Sequence, residues 1–147
     1  MTAWIVNASP IISLAKAGHL DLLLRLFGEV LVPKAVAEEV LAGPDDDPGH
    51  ATIAAGWGHR VVPAFVPDKV LEWGLGRGES AVLALALERH DARAVLDDAE
   101  ARKCARALGV TVVGTLGVVL RARSAGIIPS AGAVLVAPCD SRFSAAE

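Results

Sequence analysis

The chain has 147 residues, the usual length of one domain, and 53% of them are hydrophobic, enough for a substantial core. Aromatics make up only 4% and Tyr is absent, so Ala, Val, Leu and Ile must fill that core, which favours helices layered on a sheet. A net charge of −3 argues against a generic nucleic-acid coat, which is basic overall, but not against a nuclease whose acidic centre cancels part of a basic rim.

Trp4, Ile5 and Val6 form a short apolar run that stops at Asn7. Ser9 reads as a helix N-cap and Pro10 as the first helical residue, with Ile11, Ile12, Leu14 and Ala15 giving a buried face up to Gly18. A second helix is predicted over 20–27, with Asp21 in its first turn and Gly28 just after it. Residues 29–32 read as a strand, and Pro33 opens a helix through Leu41 with a stripe of Val36, Val40 and Leu41. Glu38 and Glu39 point in different directions on that helix. The 43–49 loop holds Asp45, Asp46 and Asp47; the alternate oxygen spacing of an EF-hand is missing, so they read as a solvated linker and helix cap. A short helix over 50–55, a strand over 60–62, an irregular 63–67 segment and an ambiguous 70–74 stretch follow. Gly76-Arg77-Gly78-Glu79-Ser80 then leads into a strong helix over 81–88. A lone Gly-x-Gly is weak evidence for phosphate binding, and a helix dipole by itself favours a carboxylate such as Glu79 in the first turn.

At residues 94–96 a strand-like run stops at two adjacent carboxylates, Asp97 and Asp98, and a helix over 99–108 follows at once. Either aspartate can cap that helix, and capping needs only one. The second asks for a further reason: a solvated turn, or a cation held at the end of a buried parallel strand. Residues 110–113 read as a strand, and Gly114-Thr115 caps a helix over 116–123 ended by Gly126. A last segment over 131–136 is broken by Pro138 before a loose tail from 139 to 147. No linker or repeat divides the chain, so one domain over 1–147 is expected.

No apolar run approaches the ~20 residues needed to span a bilayer. Met1-Thr2-Ala3-Trp4 has no basic region of the kind that opens a signal peptide. Cys104 and Cys139 form no CxxC pair and read as free thiols, so a cytoplasmic location is expected. His19, His50, His59 and His90 lack metal-ligand spacing.

Alternating strands and helices imply a parallel α/β sheet sandwiched by helices. In such sheets ligands gather beyond the carboxyl ends of strands, where the strand order reverses. Asn7 stands at one such end, Asp97 and Asp98 at another, and Thr115 beyond a third; Glu79 starts the helix that feeds the second. Carboxylates grouped there repel unless a positive charge sits between them. Hard oxygen ligands with no His or Cys suit Mg²⁺ or Mn²⁺, ions that assist phosphodiester hydrolysis.

The string Ile5-Val6-Asn7-Ala8-Ser9-Pro10-Ile11-Ile12 resembles the opening of PIN domains. So does the later set: the 36–41 helix with Glu39, the Gly76-Arg77-Gly78-Glu79 lead, Leu96-Asp97-Asp98 followed by Ala101-Arg102, and Gly114-Thr115-Leu116-Gly117. The likeness covers roughly residues 5–130 and is to a prokaryotic PIN-like family of small proteins, relatives of the ribonuclease toxins of toxin–antitoxin pairs. The resemblance implies a three-layer parallel α/β domain, acids around one or two Mg²⁺ or Mn²⁺ ions, RNA as substrate, an antitoxin-type protein as partner, and a homodimer. Carried over residue by residue, the first acid falls on Asn7, the second on Glu39, the third on Glu79 and the fourth on Asp98, with Asp97 a neighbour able to substitute for it. The implied metal set is Asn7, Glu79 and Asp98, and Ser9 and Thr115 match the small hydroxyl residues near the metal.

The departure is Asn7, where the family usually carries aspartate. An amide oxygen can ligate a metal but brings no charge. A unit charge about 4 Å from a divalent ion is worth several kcal/mol gross at an effective dielectric of ~20, so metal affinity is expected to fall. Arg77, Arg102, Lys103 and Arg106 are the candidate RNA-binding cations, and Arg102 and Arg106 share a helix face at i,i+4 spacing. The leading expectation is therefore a metal-dependent ribonuclease of toxin type, weakened by Asn7. The rival is a catalytically impaired PIN-like module that binds RNA or an antitoxin-type protein. A phosphoacceptor receiver domain also starts from paired acids beside a parallel sheet, but there the pair follows the first strand, where this chain has Asn7.

Overall fold

The computed structural model describes residues 2–127; the segment expected over 131–136, Cys139 and the tail lie outside them. The described elements run β1 (Ala3–Val6), α1 (Ala8–Lys16), α2 (Asp21–Phe27), β2 (Glu29–Pro33), α3 (Lys34–Leu41), α4 (Pro48–Ala54) and β3 (His59–Val61). They continue with α5 (Asp68–Leu71), α6 (Arg77–Glu88), β4 (Arg93–Val95), α7 (Ala99–Ala107), β5 (Val112–Val113) and α8 (Thr115–Ser124). The five strands pair in parallel in the order β3-β2-β1-β4-β5.

β1 is central, and all four of its residues are buried. A strand covered on both faces reads as an unbroken apolar run, as Ala3-Trp4-Ile5-Val6 does. Ile5 pairs with Leu31 of β2 on one side and Ala94 of β4 on the other. The chain steps outward from β1 through β2 to β3, then crosses back beside β1 to lay down β4 and β5. The order therefore reverses between β1 and β4, and their carboxyl ends face one crevice.

Helices complete a three-layer α/β arrangement. α6 lies over β1, β2 and β4 and packs on α3, while α2 packs on α8 and on β2. The middle of α6 is buried from Ser80 to Ala86, so it is apolar nearly all round, as a covered helix must be. Trp4 stacks on Phe27 at the end of α2, with 3.8 Å between ring centroids, and the Arg93 and Arg121 guanidinium groups sit 5.5 and 5.6 Å from its ring. Gly28, at φ +76°, lets the chain turn sharply from α2 into β2. Asp47 caps α4 by accepting the His50 N–H at 3.2 Å, the capping role read from the 43–49 loop.

Three helix starts differ from the expectation by two residues or more; α4 begins at Pro48, not 50. α1 begins at Ala8, not Pro10, so Asn7 is the residue before the helix and Ser9 lies within its first turn. α6 begins at Arg77, four residues before the predicted start. Two glycines lower the helix propensity there, but Glu79 Oε1 accepts the Gly76 N–H at 3.1 Å and closes the first turn. The ambiguous 70–74 stretch begins inside a single helical turn, α5, whose last two residues are Val70 and Leu71, and turns out of it from Glu72.

Because Ile5 is fully buried between two paired strands, Ile5→Ala is expected to cost about 2–5 kcal/mol of unfolding free energy. Leu24→Ala, on the solvent side of α2, should cost less than about 1 kcal/mol. Urea denaturation of the two variants checks the contrast.

Candidate functional site

β1 delivers Asn7 to the crevice. The Asn7 N–H donates to the Val95 carbonyl at 3.1 Å, which locks the residue across the β1–β4 junction. Its side chain makes no capping bond to α1. The Asn7 Oδ1 is buried without a partner, and so is the Ser9 Oγ one residue into the helix. An unpaired buried oxygen costs on the order of 1–3 kcal/mol. Two of them on one cleft point to a group that the protein itself does not supply.

β4 delivers the acid pair, and each member has its own partner. Asp98 Oδ2 accepts the Ala101 N–H at 3.0 Å and caps α7. Asp97 reaches across to the start of α8, where Oδ1 accepts the Thr115 N–H at 2.7 Å and Oδ2 the Thr115 hydroxyl at 2.5 Å. Thr115 is itself buried. The further reason for a second acid is thus neither a solvated turn nor a cation alone: Asp97 ties the end of β4 to the helix after β5.

Asn7, Ser9, Glu79, Asp97, Asp98 and Ala99 line one cleft of about 390 Å³. Glu39 approaches from α3. A methyl group built on Gly78 would lie 2.9 Å from Glu39 Oε1 and 3.3 Å from Asn7 Oδ1. Gly78 is therefore the residue that leaves these two oxygens facing each other, a role that sequence reasoning missed. Its signal was a glycine kept inside a helical turn, where it costs about 1 kcal/mol relative to alanine.

Burial pushes the Glu79 carboxyl above its ordinary value of 4.5, and the charges of Asp98 and Glu39 push it further, while the Gly76 N–H pulls against them. The carboxylates thus share one electrostatic environment, though they come from α3, α6 and the end of β4. Among the described residues, no three His, Cys, Asp or Glu side chains gather closely enough to hold a metal ion. The donors on this cleft are all oxygens, the kind a hard cation takes: the Glu79 and Asp98 carboxylates, the unpaired Asn7 amide oxygen and the unpaired Ser9 hydroxyl.

The basic residues stand differently from one another. Arg77 is exposed and pairs with Glu38 of α3 at 3.1 Å. Arg102 donates to the Leu96 carbonyl at 3.2 Å, just behind the acid pair. Lys103 pairs with Glu100 at 3.4 Å. Arg106 is exposed in the last turn of α7.

A parallel α/β sheet with its polar side chains collected where the strand order reverses defines the class: an open α/β protein, in which ligands as a rule gather at the carboxyl edge of the sheet. The chain belongs to the PIN-domain family, whose sequence profile matches residues 3–143. PIN domains have a nuclease-type fold, and they generally use divalent metals and bind RNA. Among curated proteins, none matches the chain. No helix among the described residues is long and apolar enough to cross a membrane.

Asp97→Ala would strand two buried donors on Thr115, so it is expected to cost about 2–4 kcal/mol, with Thr115→Val costing about 1; chemical denaturation reads both. Glu79 gives a pH signature. Its folded-state value is raised, so its contribution to stability is full below the unfolded value near 4.5 and is lost as pH rises through the folded value. In metal-free buffer the stability of Glu79→Gln relative to the parent should therefore grow between pH 4 and 7, as followed by urea midpoints.

Proposed function

We propose that the protein is a metal-dependent ribonuclease of PIN type that hydrolyses RNA phosphodiester bonds, weakened by Asn7 in place of the usual aspartate. The observation that carries this reading is the pair of buried, unpartnered oxygens, Asn7 Oδ1 and Ser9 Oγ, in the cleft lined by Glu79 and Asp98. Asn7, Glu79 and Asp98 would hold Mg²⁺ or Mn²⁺. When bound, such an ion supplies Lewis-acid polarisation of a phosphoryl oxygen and a water of lowered pKa.

The chain's own residues do the rest. Glu39, across Gly78 from Asn7, accepts a hydrogen bond from the attacking water and orients it. Asp98 keeps one oxygen on the Ala101 N–H, which fixes the direction in which the other points. Thr115 holds Asp97, so Asp97 adds negative potential to the cleft from a set position. Ser9 offers its hydroxyl to the same cleft. Arg102 and Arg106 on α7 and Arg77 on α6 supply positive charge for phosphates on either side of the cut.

The second reading is a catalytically impaired PIN-like module that binds RNA or an antitoxin-type protein. It is favoured by the uncharged Asn7 and because, among the described residues, no three acids stand close enough together to hold a metal ion.

Single-stranded RNA incubated with Mn²⁺ should be cut by the parent protein and not in EDTA. Asp98→Asn keeps an oxygen able to cap α7, so it should fold normally yet lose at least about a hundredfold in cleavage rate. Asn7→Asp should tighten Mn²⁺ binding about tenfold or more by calorimetry. Equal cleavage by the parent and Asp98→Asn would sink the ribonuclease reading, and Mn²⁺ binding unchanged in Asn7→Asp would sink the ligand set.

A further inference from the structure

Among the described residues, four of the six exposed large apolar side chains, Val62, Phe65, Leu71 and Trp73, fall within residues 62–73. Three of them help to line an open groove of about 460 Å³ between α3, α6 and the segment after β3; Lys34, Leu75 and Arg77 line it too. Phe65 is 67% exposed. It also borders a second hollow of about 340 Å³ beside Lys69 and Glu88, so its ring forms a ridge between two depressions. The segment that carries it is tied down. Pro63 and Pro67 restrict it on both sides, and the Ala64 N–H donates to Glu88 of α6 at 2.6 Å. An aromatic ring left in water on a braced segment is not there for core packing.

The charges around the ring decide what it suits. Glu38 is taken by Arg77 and Glu88 by the Ala64 N–H. Lys34 and Lys69, one beside each hollow, have no acidic partner among the described residues. Asp68 of α5 and Glu72 just after it line neither hollow. An apolar protein partner covering this face would bury two unpaired lysines at a cost of several kcal/mol. A strand of nucleic acid brings flat apolar bases and anionic phosphates together, which matches both features.

The groove also adjoins the acid cleft. Arg77 lines the groove and Glu79 the cleft, within a single turn of α6, and on α3 Glu38 lines the groove while Glu39 faces Gly78 and Asn7. We propose that the groove is a nucleobase subsite: single-stranded RNA stacks one unpaired base on Phe65, with Lys34 and Lys69 at the flanking phosphates, as the neighbouring phosphate enters the acid cleft. This rests on the ribonuclease reading of that cleft. Every base has a π-face, so such a subsite selects unpaired strands and not a particular sequence.

The test is fluorescence anisotropy of a short labelled single-stranded RNA with the full chain in EDTA, where cleavage cannot contribute. Phe65→Ala should weaken binding about tenfold and Phe65→Trp should restore it, while Lys34→Ala with Lys69→Ala should lower the salt slope by about two. The same strand annealed into a duplex should bind the parent and Phe65→Ala alike. Unchanged single-strand affinity in Phe65→Ala overturns the subsite. So does a change in its sedimentation with RNA affinity intact, which assigns the face to a second copy of the chain. Mn²⁺-dependent cleavage with an identical KM in Phe65→Ala sinks the subsite and leaves the ribonuclease reading standing. Phe65-dependent binding by a protein that never cuts sinks the ribonuclease reading instead.

Discussion

The candidate site depends on one backbone pairing, that of β1 with β4. Val6 lies opposite Val95, and one residue further on the Asn7 N–H closes onto the Val95 carbonyl at 3.1 Å. That pairing brings residue 7 beside residues 97 and 98. A slip of one residue would turn every side chain of β4 to the opposite face. The register is held because both strands are buried on either side, so any slip would expose aliphatic side chains or bury polar ones. The polar residues begin abruptly at Asn7 and Asp97 because these are the first positions past the apolar runs of β1 and β4, where side chains face the crevice and not the two helical layers.

Several acids crowd this edge, and the structure tempers their repulsion with helix starts. α1, α6, α7 and α8 all begin there, each with unpaired N–H groups and the positive end of its dipole. Three carboxylates accept a backbone N–H from such a start: Glu79 from Gly76, Asp98 from Ala101 and Asp97 from Thr115. The compensation is incomplete, since burial and its acidic neighbours still hold the Glu79 carboxyl above its ordinary value. Capping and any role in ligand binding are thus performed by the same side chains. A carboxylate fixed by one oxygen presents the other in a set direction, with little side-chain entropy left to lose when it meets a ligand.

Asn7 is the exception. It stands before α1 but does not cap it, and its side-chain oxygen stays buried and unpaired. An aspartate there would add another negative charge to a cleft already shared by Glu79, Asp97 and Asp98. The amide lowers that repulsion at the expense of attraction for a cation. Gly78 has a complementary part: without a side chain it keeps Glu39 and Asn7 within sight of each other across the first turn of α6.

The alternation of apolar strands with helices, the abrupt polar stops at Asn7 and Asp97, and the acids at the starts of later elements were legible in the chain, because hydrophobic period and chain punctuation are local properties. They were enough for a parallel α/β sheet with a polar carboxyl edge and for the residues that collect there. The division of labour at the acid pair was not legible. Asp97 and Asp98 are neighbours with the same side chain, and which one caps α7 and which one crosses to Thr115 depends on where β5 and α8 come to lie. The early start of α6 was hidden by its glycines, whose low propensity is outweighed only once Glu79 folds back on Gly76. The reach of Glu39 to Gly78 and the exposure of Phe65 likewise needed the packed structure, since both depend on contacts between residues distant along the chain, and only tertiary packing decides those.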